Sequence, residues 1–201
     1  SGIGGSKITV DANGGGGTTL ALGTLANSTA NGGTLNIKVG TGGTVTTTTT
    51  TVTNGLLGNG RVVFTDASDV VDFAGISASG ANRTVQAATY TSGLPTSGST
   101  STVNYNHTGN ATVTASESVN ALKLTTSTTG QSLAIDPGQT LTLTTGGLLF
   151  TGANDYSITG GTLKSNTVTN SDLMIHQYGT GNLTIGSVIA DGVGKSVLTK
   201  A

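Results

Sequence analysis

The second half of this chain is built from short runs of two-residue alternation. Each run is closed by Gly, Asn, Asp or Pro. The stretch "ALKLTT" sets Leu122 and Leu124 on one face, and "QSLAID" does the same with Leu133 and Ile135. "TLTLTT" contributes Leu141 and Leu143, "GLLF" contributes Leu148 and Phe150, and "YSITGGTLKS", "DLMIHQ" and "NLTIGSVI" follow in the same style. A period of two is the repeat of a β-strand, and Gly, Asn and Pro between such runs mark turns. Apolar spacing at three and four is absent, and Thr and Gly are poor helix formers. The sequence therefore predicts an all-β chain without helices.

Strands recurring every seven to twelve residues, roughly, suit a sandwich, a barrel or a solenoid. The composition favours the solenoid. Hydrophobic residues make up 34% of the 201 positions and aromatics only 3%, too few large side chains for a wide core. A core one or two side chains across needs little more than the Leu, Ile and Val at the alternating positions. The chain has 33 Gly, which together with Asn suit corners where positive φ is required. Runs such as Val45 to Val52, "VTTTTTTV", can stack as threonine ladders on successive coils. Neighbouring parallel coils lie about 4.8 Å apart, so like side chains superpose. Coils of about 20–25 residues would give roughly eight to ten of them. The whole of 1–201 reads as a single solenoid segment. Longer loops are expected within 54–120, where polar turn residues crowd and Pro95 stands between Gly93 and Gly98. A small inserted element would account for the same stretch.

A net charge of −1 gives no electrostatic reason to expect nucleic acid or anionic lipid as partner. The absence of Cys rules out disulfides and thiolate metal sites and suits a protein exported across an envelope. The longest apolar runs are a few residues, too short for a helical membrane span. The first residues, "SGIGGSKITV", have neither the charged nor the apolar region of a secretion signal.

Chemistry-bearing residues are sparse. Asp66, Asp69 and Asp72 in "TDASDVVDF" form the one local carboxylate cluster. On a β-helix such a cluster can serve as general acid and base or hold Ca²⁺ in polysaccharide cleavage, with Arg61 or Arg83 meeting a uronate carboxylate. The competing reading is a solvated loop beside a short strand. It is favoured because the chain has no Trp and only four Tyr to serve as sugar platforms. His107 and His176 are the two imidazoles, without a second His at metal-ligand spacing, and His176 shares a strand face with Met174 and Tyr178. Its expected role is structural or solvent-facing. The Gly runs Asn13 to Gly17 and Gly40 to Gly43 lack the Lys-Ser/Thr ending of a phosphate loop. Asn-x-Ser/Thr at Asn27, Asn82, Asn106, Asn110 and Asn182 is what chance gives in a chain of which Thr is about a fifth. Thr pairs do not recur at a fixed period, which argues against an ice-binding array. No cofactor and no metal is expected.

The units Leu141 to Ser165 and Asp172 to Ala201 carry a resemblance. Leu183-Thr184-Ile185, Ser187-Val188-Ile189, Asp191 and Leu198-Thr199-Lys200 match a strand–turn–strand pattern. Lys7 to Leu25 and Asn31 to Ile37 match it more loosely. In these residues the chain resembles the autotransporter-associated β-strand repeat family, large surface or secreted proteins of Gram-negative bacteria. The resemblance implies a right-handed parallel β-helix, a fragment of a longer exported rod that stops where the next repeat would begin. The expected function is structural and interactive: an extracellular stalk, adhesin passenger or filament segment. Its expected partners are a continuation of the same chain or another copy docked end to end, with a surface glycan or cell-surface ligand besides. A polysaccharide lyase or hydrolase on the same scaffold is the alternative.

Overall fold

A computed structural model describes residues 5–25, 33–165, 172–192, 194 and 196–201. The described chain is all-β, a β-solenoid of about seven turns with parallel sheets. It divides into two compact units, Ser1–Thr89 and Tyr90–Ala201.

The first unit holds β1 (Gly5–Val10), β2 (Thr18–Leu22), β3 (Thr34–Val39), β4 (Gly43–Thr47), β5 (Val62–Thr65), β6 (Val71–Ile76) and β7 (Arg83–Ala87). Strands β1, β3 and β5 stack in parallel, as do β2 and β4. Val10, Ile37, Val45, Leu57, Val62, Ala74 and Val85 form the buried core. The threonine run behaves as a ladder. The hydroxyls of Thr24 and Thr48 lie 3.0 Å apart, and Thr47 donates to the carbonyl of Gly23 at 2.8 Å. The Leu25 amide donates to Thr49 Oγ1, also at 2.8 Å. Each hydroxyl thus satisfies a group of the coil below it.

The stack then reverses. β6 is antiparallel to β5, and β7 is antiparallel to both β6 and β4. The sheet order becomes β1-β3-β5-β6-β7-β4-β2. Residues 66–87 are thus a small inserted element of two hairpins. They consume chain that would otherwise wind further coils, one reason the turns number about seven.

The second unit holds β8 (Thr91–Ser92), β9 (Asn104–Thr108), β10 (Ala111–Val113), β11 (Glu117–Val119), β12 (Ala121–Thr125) and β13 (Gln131–Leu143). It continues with β14 (Gly147–Phe150), β15 (Tyr156–Ser165), β16 (Leu173–Gln177), β17 (Leu183–Ile185), β18 (Val188–Ala190) and β19 (Leu198–Lys200). One sheet runs β8-β9-β12-β14-β16-β19. The other stacks β10 and β11 on β13, then β15, then β17 and β18. All these pairings are parallel.

Register turns the alternating pattern into columns. Tyr105, Leu122, Leu148 and Ile175 superpose, as do His107, Leu124, Phe150 and Gln177. Glu117 stands in register with Leu141, and Leu141 with Leu163. Leu122, Leu124, Leu133, Leu141, Leu143, Leu148 and Phe150 are fully buried, and Ile135 nearly so. On the outer face Ser132, Ser157 and Thr184 form one column, and Thr112, Ala134 and Thr159 another. Two corners demand Gly. At Gly146 (φ +76°) a Cβ would lie 1.8 Å from the Asp172 carbonyl oxygen. At Gly160 (φ +72°) it would lie 2.2 Å from that of Ile135.

Candidate functional site

The three aspartates sit on the β5–β6 hairpin without converging. Asp66 Oδ1 accepts the amides of Ser68 and Val70, both at 2.9 Å, and its own amide donates to the Val70 carbonyl. It is the residue that closes the turn. Asp69 takes the left-handed position of the same turn (φ +62°) and pairs with Lys38. The hydrogen bond and charge of Lys38 hold its carboxyl below the usual carboxylate range. Asp72 stands on β6 opposite Phe64. Among the described residues, no group of three His, Asp or Glu is placed to hold a metal ion.

Arg83 donates to the Ser77 carbonyl at 2.8 Å across the β6–β7 turn, and Arg61 is buried beside the parallel stack. A cavity of about 340 Å³ in the first unit is lined by Arg61 with Ser6, Thr34, Leu35, Gly58 and Val62, without a carboxylate. His176 is fully buried opposite Leu149, so of its two expected settings the structural one is observed. Of the Asn-x-Ser/Thr positions, Asn82 is exposed in a hairpin turn and Asn106 is half-buried. Asn110 accepts the Ser132 amide, Asn182 donates to Asp155, and Asn27 lies outside the described residues.

A turn-closing role gives Asp66 a measurable weight. Asp66→Ala removes the one oxygen that accepts two amides in a partly solvated turn, so a loss of about 1–2 kcal/mol is expected in urea denaturation. A catalytic carboxylate removed from a strained site would instead leave stability unchanged or raised.

The polar constellation that sequence reasoning missed lies at the mouth of the second unit's first coil. Here the inward columns, apolar on the next two coils, hold Tyr105, His107 and Glu117. Each turns a polar atom toward the crossing segment Gly93–Val103. The Leu94 amide donates to His107 Nδ1 at 3.0 Å, the Ser99 amide to Glu117 Oε2 at 3.1 Å, and the Thr100 amide to the Tyr105 hydroxyl at 3.3 Å. Ser99 Oγ donates to the Ser118 carbonyl, and the Thr114 amide to the Thr96 carbonyl. Just before the strap, β8 pairs with β9. A strap backbone lying over a core leaves amides without water, and each unsatisfied one costs about 1–3 kcal/mol. Leu or Phe at the three inward positions would impose that cost; Tyr, His and Glu remove it. The signal in the sequence is "NYNHT", whose alternation is in phase with the strands below but polar at the inward sites.

No known family model, curated protein or solved structure matches this chain. Function must therefore be argued from its own residues.

Proposed function

We propose that the chain is a structural and interaction protein: a rigid extracellular β-solenoid segment acting as stalk, adhesin passenger or filament segment. The observation that carries this reading is the parallel stack of the second unit, in which strand lies on strand over a narrow Leu, Ile and Val core. On its surface Val188, Ile189, Val197 and Leu198 are exposed, at 63%, 41%, 50% and 55%. Stacked parallel strands with apolar side chains exposed beside them can add strands of another copy. The low charge, the lack of Cys and the resemblance to autotransporter-associated repeats support an exported rod. The scattered aspartates give the lyase or hydrolase alternative no support.

Sedimentation of the 201-residue chain over a concentration series tests the reading. Association that grows with concentration and is suppressed by Val188→Lys is the expected result. A monomeric mass at every concentration would count against an extendable rod. Release of unsaturated or reducing ends from acidic polysaccharides would favour the enzyme.

A further inference from the structure

We propose that the strap Gly93–Val103 is an acid-released latch keyed by His107. The imidazole is 8% exposed, and its Nδ1 accepts the Leu94 amide. Its ring hydrogen is therefore on Nε2, which is buried without a hydrogen-bond partner among the described residues. A second proton has one place to go, Nδ1, where it would face the Leu94 N–H donor. The closed strap thus requires neutral imidazole, and the open strap admits the proton. Acid favours whichever state binds more protons, so the latch holds at neutral pH and loosens as pH falls.

Few other titratable groups face the ring. The strap itself, Gly93 to Val103, contains no ionisable side chain. From β9 and β11 the inward ionisable groups are Tyr105 and Glu117, and β12 presents Leu124 in the same column. From β15, Tyr156 donates its hydroxyl to the Gly109 carbonyl at 2.9 Å, and burial raises its pKa well above the ordinary phenol value. Lys123 lies at an outward position of β12, over the Tyr90 ring. Release bares Tyr105, His107 and Glu117 and frees the Asn106 and Ser118 carbonyls, which Gly93 and Ser99 bond when the strap is closed.

Amide hydrogen exchange tests this on the full 201-residue chain at about pH 7.5 and about pH 5. These values bracket the ordinary imidazole pKa of about 6.5 and stay above the carboxylate value of about 4.3. After correction for intrinsic rates, protection of Leu94, Ser99 and Thr100 is expected to fall about tenfold or more in acid, the factor set by one ordinary hydrogen bond. His107→Asn places a non-titrating carbonyl where Nδ1 stood, and its strap protection is expected to be equal at both pH values. In Glu117→Gln the pH response is expected to persist. The proposal fails if wild-type protection is independent of pH, or if the response survives in His107→Asn. It also fails if the response disappears in Glu117→Gln, or if β13 and β15 lose protection in step with the strap.

Discussion

Leu143→Asp is expected to unravel the coils of the second unit. Leu143 is fully buried, in register with Val119 on one coil and Ser165 on the next. The core is one or two side chains wide, so a carboxylate there has no neighbouring void to turn into. Burying it without a partner costs several kcal/mol even if it takes up a proton, against a domain stability of about 5–15 kcal/mol. In a stack where each coil touches its neighbours, the damage spreads through those contacts. Thr159→Asp, on the exposed face of the same sheet, should stay within about 0.5 kcal/mol of wild type. Ile185→Asp should fall between the two, because Ile185 is only partly buried. Thermal melts by circular dichroism check the order, and equal melting temperatures for Leu143→Asp and Thr159→Asp would refute it.

Gly146→Ala is expected to cost about 3 kcal/mol, through backbone strain and collision together. Gly138→Ala is the control. Both positions have left-handed backbone, at φ +76° and +79°, so both lose the conformational freedom that only Gly supplies. At Gly138 an added Cβ meets nothing within 4 Å, whereas at Gly146 it lies 1.8 Å from the Asp172 carbonyl oxygen of the next coil. The Met174 amide donates to the Gly146 carbonyl at 2.8 Å, so the two coils cannot separate without losing that bond. The difference between the variants in urea denaturation isolates the coil-to-coil clash. Equal losses would mean that the coils are free to slide apart at this corner.

The inward columns of the second unit were legible because the alternating apolar positions are buried, although on β12 and β14 the positions between them are buried as well. Leu122, Leu124, Leu133, Ile135, Leu141, Leu143, Leu148 and Phe150 all point where a period of two places them. The direction of pairing is a different matter. Val71 to Ile76 alternates no differently from a coil strand, and period two carries no sign for parallel or antiparallel. The reversal is encoded in the turn before it, where Asp66 collects two amides and Asp69 adopts positive φ. Read as chemistry, those carboxylates suggested catalysis; read as turn residues, they foretell a hairpin. His107 was obscure for the converse reason. A polar residue at an inward position looks like a break in the pattern until the backbone above it is seen to need an acceptor.

The reversal in the first unit also limits its valency. Each coil of a parallel solenoid has two sides on which strands can add, and growth is normally open in both directions. In the first unit β6 occupies the far side of β5, β7 occupies the far side of β4, and β6 and β7 pair with each other. The seven strands thereby become one continuous path with β1 and β2 as its two ends, and both ends belong to the first coil. Among the described strands of this unit, β5 and β4 therefore have no free side for an added strand, and β1 and β2 keep one.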